Sequence, residues 1–590
     1  MFGTDSEGIG GAGHRWVEVP ADEVADAIIA ALALGGIECV FFTSGSEIVF
    51  FQEAIAKAEA HGRPAPRIIS MTHEHAGLNA ALGYAAISGK PVATAVHVDA
   101  GTLNYGAAIH TASRSGLPVL MMAGAPPTAY PGSMRGARDR GGHIWFQQTF
   151  DQNTIVRQYV KWDHRLEYQD NAGLLVSRAI QVALSQPTGP VYLSIPREIA
   201  LLPADGATFP TARQLGIPHE PWPDPNIIRA IVERLVTARA PVMIVSGSGR
   251  NPQTECLLVA LCELLAIRVV IPTPHGVHSF PMSHPLYDGT GKVRDADVII
   301  VLETKVPWLP GADEPAPDAF IAAIGIDPIQ AQIPTYEFTA DQRLIAGALP
   351  ALQAMLDAAR TTIGTPAPPA VAERKLQLAE RSRARRAEAD RIAVVRKDAT
   401  PIDPLWLSYQ IGRVLDANCV VFDDTLAHNR VPEYLHCDLP GSYFNNPGTS
   451  GGWAPGAAFG AKLADPQRDM VAVTGDGFFM FGTTNAAITA AHAHGAPFLS
   501  IVYQNRSYTT GTVSVTRTYR ESYSAKAGFP GGYLDPPIDF AEEAHAAGAY
   551  SENVRDPSEV EPALRRGLAA TRSGRAAVLA FWLPRLLGDD

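Results

Sequence analysis

The 590-residue chain predicts an α/β fold built from three doubly wound, mostly parallel-sheet domains. Three observations predict it. Amphipathic stretches alternate with short apolar runs along most of the chain, the pattern of βα units. A Pro-rich stretch at 217–225 and a charged stretch at 361–404 divide that alternation into three blocks. Each block also places a turn and a proline just before an apolar run: Ser115-Gly-Leu-Pro, Ala238-Arg-Ala-Pro and His494-Gly-Ala-Pro. Proline is tolerated at the first residue of a strand, so all three read as helix-to-strand connections.

The first domain is read as 17–205, with a helix over 23–34 and strands near 39–42, 92–98, 118–123 and 190–195. The central domain is 220–360, with strands at 241–246 and 296–302. Residues 361–400 form a linker. Pro366, Pro368 and Pro369 open it, and 371–397 carries charges of both signs with little apolar surface. That composition predicts a solvated helix crossing between domains. The third domain is 401–590, with strands at 420–423, 469–474, 498–503 and 577–582.

Composition excludes several classes of function. Hydrophobic residues make up 46% and charged residues 18%, which is globular rather than disordered. The net charge is −12, from 48 basic and 60 acidic residues. Non-specific nucleic-acid binding rests on phosphate neutralisation, so no nucleic-acid partner is expected. The five cysteines (Cys39, Cys256, Cys262, Cys419, Cys437) show no CxxC spacing. A cytoplasmic setting is therefore expected. No leader-like apolar segment opens the chain and no apolar run is long enough to span a bilayer, so no membrane partner is expected.

The most informative segment is 469–510. An apolar strand ends in Gly475-Asp476-Gly477; Phe478 and the next residues lead into a helix over 485–494; a second strand ends at Gln504-Asn505. Adjacent strands of a doubly wound sheet bring a carboxylate and a carboxamide to the carboxyl edge, where such sheets bind ligands. Asp, an Asn side-chain oxygen and a backbone carbonyl are hard donors suited to Mg²⁺. Glycines beside Asp476 let backbone approach a phosphate.

This segment resembles the thiamine-diphosphate motif, which opens with GDG and closes with an Asn pair roughly thirty residues on. The resemblance implies Mg²⁺ held by Asp476, Asn505 and the carbonyl of Ser507, with Gly475, Gly477 and Phe478 near the diphosphate. Two departures stand out: the first Asn of the pair is Gln504, and the Asp476-to-Asn505 separation of 29 positions is about two longer than in the family, a difference that fits the turn at 481–485.

The resemblance also predicts an activating Glu in a pattern like HE-x-x-A-x-x-x-A-x-GYA. His73-Glu74-His75-Ala76 through Gly83-Tyr84-Ala85 fits it, and makes Glu74 the partner of the cofactor's pyrimidine ring. Read from the residues alone, the alternatives are a helix N-terminal carboxylate for Glu74 and a metal pair for His73/His75, which lack helical HExxH spacing. The resemblance covers about 20 to 585 and is to the acetolactate-synthase-like superfamily, which includes 2-hydroxyacyl-CoA lyases. It implies a homodimer or homotetramer with active sites at the subunit interface.

Substrate residues are less sharply marked. The turn after 92–98 reads His97-Val98-Asp99-Ala100-Gly101-Thr102-Leu103-Asn104, keeping the family's Gly and Asn. His97 is a candidate acid or base there, or a structural strand-end histidine. Phe146-Gln147-Gln148 stands at the family's FQE turn. Arg135, Arg138 and Arg140 could meet a CoA phosphate or lie in a solvated loop. Arg157-x-Tyr159-x-Lys161 is similar to a lyase pattern. On the third domain Thr425, His428, Gly452 and Trp453 are cofactor candidates, and a glycine takes the place of the bulky residue that props the bent cofactor. Val245-Ser-Gly-Ser-Gly249 reads as an ordinary loop, though related central domains take ADP, CoA or FAD.

The expected activity is cleavage or formation of a C–C bond beside a carbonyl. It tilts slightly to a 2-hydroxyacyl-CoA lyase, with acetolactate-synthase-like chemistry on small 2-oxo acids close behind and a non-catalytic cofactor-binding scaffold as the third reading.

Overall fold

A computed structural model describes residues 16–139, 141–271, 276–289, 291–364, 368–426 and 430–585. The apolar runs form strands because they are rich in β-branched residues and are covered on both faces, as parallel sheets require. Val92–Val96, Val119–Ala125 and Val191–Pro196 are buried along their whole length.

Three sheets carry the fold. The first has six strands in the order Arg67–Ser70, Cys39–Phe42, Val92–Val96, Val119–Ala125, Val191–Pro196, Asp163–Arg165. Its pairs from Cys39–Phe42 onward are parallel. The second has five parallel strands: Arg268–Val270, Pro241–Val245, Val298–Leu302, Phe320–Gly325, Gln342–Ile345. The third has six parallel strands: Tyr443–Asn445, Cys419–Asp424, Asp469–Gly475, Leu499–Gln504, Ala577–Trp582, Tyr550–Val554. The α/β class is as expected.

The chain packs as two compact units. One contains the segment ending at Ile68 with Pro91–Leu103 and Pro118–Pro218; the other contains Ile69–Lys90, Asn104–Leu117 and the segment that starts at His219. In the first, helices Val24–Leu34 and Ala172–Leu184 bury Ile28, Leu32, Val176 and Ile180 with Leu120 and Leu193. In the second, one continuous core holds Leu258 and Leu352 from the middle layer and Val473, Ile501 and Leu579 from the third. The second and third sheets thus share a single apolar core.

The charged stretch forms a helix, Pro369–Val394, largely exposed as expected, with one face docked by polar anchors. Arg374 is buried and donates from Nε to Ala266 O at 2.9 Å and from Nη1 to Ala238 O at 2.6 Å. Arg381 reaches Asp288 at 3.1 Å. Polar anchors of this kind leave no apolar period in a sequence, so the docked face was not read from it.

Helix Glu74–Ser88 lies against helix Ala454–Ala464, and glycines set the spacing. A Cβ on Gly460 would stand 1.8 Å from Ala80 O, and one on Gly83 would stand 1.9 Å from Ala457 O. Only residues without a side chain permit backbones this close. No helix among the described residues is long and apolar enough to cross a membrane.

Candidate cofactor and active site

At the carboxyl edge of the third sheet, the strand Asp469–Gly475 hands over directly to a short helix, Asp476–Phe481. Asp476 is 3% exposed. Its Oδ1 accepts from Gly477 N at 2.7 Å and its Oδ2 from Arg506 N at 2.5 Å. The second bond pulls the 505–507 turn onto the carboxylate. Arg506 takes φ +55, the left-handed conformation that makes this turn sharp. Asn505 Oδ1 accepts from Ser507 N at 3.0 Å, and its Nδ2 donates to Thr509 Oγ1 at 3.3 Å. Leu534 N donates to Arg506 O and Tyr508 N to Gly532 O, so the Ser507 carbonyl takes no part in this pairing. The Asp476 carboxylate is thereby tied to the turn that carries the Asn505 carboxamide. Burial pushes the Asp476 carboxyl up to about 6, against the pull of the Arg506 and Gly477 N–H groups.

The neighbouring strand Cys419–Asp424 supplies a second buried acid. Asp424 Oδ2 accepts from Gly452 N at 2.8 Å and Trp453 N at 2.9 Å, and its Oδ1 from Asn446 Nδ2 at 2.8 Å. It therefore holds the glycine-rich turn in place. Gly452 has φ +100, and a Cβ on it would meet Gly482 N at 2.4 Å. Trp453 is buried with its ring 5.6 Å from that of Phe422. Thr425 donates to Asp423 from both its backbone N (3.0 Å) and its Oγ1 (2.7 Å). A Cβ on Gly451 would stand 2.1 Å from Phe478 Cδ1, so the Phe478 ring takes the space of a side chain there. His428 lies outside the described residues.

Asp424 carries a pH-dependent prediction. Burial pushes its carboxyl up to about 7. A carboxyl raised on folding contributes stability that is present below its unfolded value near 4 and is lost as pH rises through 7. In Asp424→Asn, one carboxamide arrangement sets an NH₂ against Asn446 Nδ2, and the other turns it toward the Gly452 and Trp453 N–H groups. Asn446 cannot reverse, because its oxygen accepts from Gly448 N at 2.9 Å. The variant is expected to lose about 1–3 kcal/mol in urea unfolding at pH 7, where the wild-type carboxyl ionises and accepts all three bonds. Its stability should also fall less between pH 5 and 7 than that of the wild type. Equal midpoints at both pH values would contradict this.

Glu74 opens helix Glu74–Ser88, after the His73 cap accepts from His75 N at 3.2 Å. It is 7% exposed, and its Oε2 accepts from Asn104 Nδ2 at 3.1 Å. Asn104 closes the short helix Asp99–Asn104 that follows His97. Burial pulls His75 down to about 4, so this ring is neutral. Among the described residues, no group of three His, Cys, Asp or Glu ligand atoms gathers at His73 and His75.

In the first unit, the carboxyl edge of the first sheet collects Ser46 and Glu47 after Cys39–Phe42, His97 after Val92–Val96, and Arg197 after Val191–Pro196. His97 Nε2 is 3.3 Å from Gln147 Oε1, and its Nδ1 is 3.1 Å from Glu47 Oε2. Gly101 presses on His97, with a Cβ there 3.3 Å from His97 Cβ. The expected substrate cations are engaged elsewhere. Arg135 pairs with Glu23. Arg138 binds Pro127 O at 2.8 Å and Gln148, and lies 5.0 Å over Trp145. Arg157 pairs with Asp151 and Asp163 at 2.9 Å each. Lys161 donates to Val182 O and Ser185 O at 2.5 Å, while Tyr159 is partly exposed. Arg140 lies outside the described residues. Ser46, Glu47 and His143 were not singled out in the sequence, although Gly45-Ser46-Glu47 stands at a strand's carboxyl end just as Asp476 does.

Two family models match these segments. The thiamine pyrophosphate enzyme N-terminal TPP-binding domain matches residues 22–155 and the C-terminal TPP-binding domain matches 427–581. The chain belongs to the thiamine pyrophosphate enzymes. It is 27% identical over 527 residues to benzoylformate decarboxylase of Pseudomonas aeruginosa, spanning 86% of this chain and 90% of that protein. It is 25% identical over 565 residues to a probable acetolactate synthase of Mycobacterium bovis, spanning 94% of each. A solved structure of the Rhodococcus jostii thiamine diphosphate-dependent 4-hydroxybenzoylformate decarboxylase shares the fold, with TM-score 0.75 at 19% identity over 95% of this chain and 99% of that one. This thiamine pyrophosphate enzyme thus stands in a family of decarboxylases and carboligases.

The residues present fit the cofactor of this enzyme family. The expected donors are all oxygen, as Mg²⁺ prefers. A divalent cation beside Asp476 would favour its charged form, offsetting the effect of burial. A Cβ on Gly475 would meet no heavy atom within 4 Å, which leaves that backbone open to a phosphate. The central loop reads differently. A Cβ on Gly249 would stand 1.6 Å from His278 O, and one on Gly247 would stand 2.6 Å from Glu303 O. Internal packing accounts for both glycines without ADP, CoA or FAD.

Proposed function

We propose that the chain is a thiamine-diphosphate- and Mg²⁺-dependent decarboxylase or carboligase of a 2-oxo acid. The observation that carries this reading is the buried Asp476 carboxylate tied to the Asn505–Ser507 turn. Asp476, Asn505 and the Ser507 carbonyl would hold Mg²⁺, and Glu74 would hold the proton shared with the pyrimidine ring. Gly475, Gly477, Thr425, Gly452 and Trp453 would border the cofactor, and Phe478 would supply the bulk that Gly451 lacks. Bound thiamine diphosphate supplies a nucleophilic carbon and an electron sink for cleavage beside a carbonyl.

His97 is the proposed proton-transfer group, working from Nε2, with Gln147 as its partner. Gly101 presses on His97 from the following helix, and Gln148 adjoins Gln147 in the chain. The 2-hydroxyacyl-CoA reading needs free cations for the nucleotide phosphates. Arg135, Arg138, Arg157 and Lys161 all have internal partners, which favours the 2-oxo acid. The similarity to a benzoylformate decarboxylase supports an aromatic side chain on that acid. Action as a homo-oligomer remains part of this proposal.

The test supplies the protein with thiamine diphosphate, Mg²⁺ and, in turn, benzoylformate, pyruvate and a 2-hydroxyacyl-CoA. Release of CO₂ from a 2-oxo acid is expected, with an aldehyde or an acyloin as product. Formyl-CoA from the thioester, with both oxo acids inert, would overturn the reading.

A further inference from the structure

Glu47 is 1% exposed yet ionisable, and it sits at the centre of a polar cluster. Its Oε2 accepts from Ser46 Oγ at 2.7 Å and lies 3.1 Å from His97 Nδ1, close enough for its charge to act although not aligned as a hydrogen bond. Its Oε1 lies 3.6 Å from Arg197 Nη1 and 3.8 Å from His143 Nε2. His143 Nε2 is 3.5 Å from Ser46 Oγ. Arg197 is itself anchored, donating to Gly136 O at 3.1 Å, Ala137 O at 2.9 Å and Asp139 Oδ2 at 3.2 Å.

The backbone is shaped to hold this cluster. A Cβ on Gly45 would stand 2.4 Å from His97 Nδ1, so the ring lies flat on the chain that carries Glu47. A Cβ on Gly124 would stand 2.8 Å from Glu47 O, so the same turn rests on the end of the next strand but one. A buried carboxylate is costly unless it is paired. Arg197 offsets that cost, and the side of Glu47 left over faces His97.

We propose that Glu47 is a positioning residue for His97. Its carboxylate keeps the proton of the neutral ring on Nδ1 and so presents Nε2 as the nitrogen that exchanges protons with substrate. Which nitrogen of a histidine carries the proton is set by what the other nitrogen faces. Gln147 can present either its oxygen or its nitrogen to Nε2, so it accommodates the ring in both protonation states. The charged and titratable groups around His97 are Glu47, Arg197, His143 and, behind Arg197, Asp139; Asp99 accepts from Ala100 N at 2.7 Å at the start of the following helix. The proposal rests on the reading of His97 as a proton-transfer group.

The test pairs a spectrum with kinetics on the full chain. With ¹⁵N-labelled histidine, the His97 ring signals, assigned among 17 histidines by loss in His97→Gln, are expected to show the Nδ1–H tautomer. In Glu47→Gln they should shift toward the Nε2–H tautomer. That variant should also lose about tenfold or more in kcat with KM within about twofold. Loss of the nearby negative charge should move the acidic limb of its kcat profile to lower pH. Glu47→Asp, which keeps the charge, should leave the limb in place and recover part of kcat. Unchanged His97 signals and an unchanged limb in Glu47→Gln would overturn the proposal. So would equal kcat losses in both variants with no shift of the limb, the mark of a merely structural role. If His97→Ala turned over every 2-oxo acid at the wild-type rate, the parent reading would fail instead, while the ring spectrum would still decide the role of Glu47.

Discussion

Glu74→Gln is expected to lower cofactor-dependent turnover by about two to four orders of magnitude while leaving the fold and the binding of thiamine diphosphate largely intact. Glu74 opens its helix and is held by Asn104 Nδ2 at 3.1 Å, so the shape of the site does not depend on its charge. Gln keeps the length and one acceptor oxygen. It cannot share a proton with a ring nitrogen as a carboxyl group does. His75 behind it is neutral, pulled down to about 4 by burial, and brings no charge to compensate. Single-turnover measurements with the oxo acid, beside a cofactor titration, check this. A variant that turns over at the wild-type rate would remove Glu74 from the chemistry.

The second large effect is structural. Gly460→Val is expected to destabilise the second unit by at least about 3 kcal/mol, read as a lower urea midpoint. Glycine inside a helix costs about 1 kcal/mol relative to alanine, so close packing is what offsets its presence. At Gly460 the first added carbon would overlap the Ala80 carbonyl at 1.8 Å. The contact is backbone, and no rotamer change relieves it. Separating the helices would also move Glu74 away from the turn of Gly452 and Trp453, because Asn79 reaches Gly452 O along the same face at 3.4 Å. A midpoint like that of the wild type would show that the helices separate freely.

The strands were legible because each is a short apolar run bounded by turn residues. The read boundaries at 39–42 and 577–582 coincide with Cys39–Phe42 and Ala577–Trp582. The Asp476 turn was legible because two strands end in polar residues at a known edge. The additional length of that segment fits the short helix Asp476–Phe481 and the turn through Gly482 and Thr483, where Thr483 takes φ +46. Asp424 was not legible, since its role comes from N–H groups about thirty positions along the chain. Neither was the docking of Arg374, which uses backbone carbonyls that leave no trace in side-chain pattern. The arginines near the substrate turns are ambiguous in sequence for the opposite reason. A cluster of cations looks the same in sequence whether it meets phosphate or, like Arg157, its own aspartates.

The most direct test of the account is a calorimetric titration of thiamine diphosphate into wild type and Asp476→Ala, each with and without Mg²⁺. Saturable binding that requires Mg²⁺ in the wild type and is lost in the variant is the predicted result. Binding of equal strength in both proteins, or binding indifferent to Mg²⁺, would contradict it.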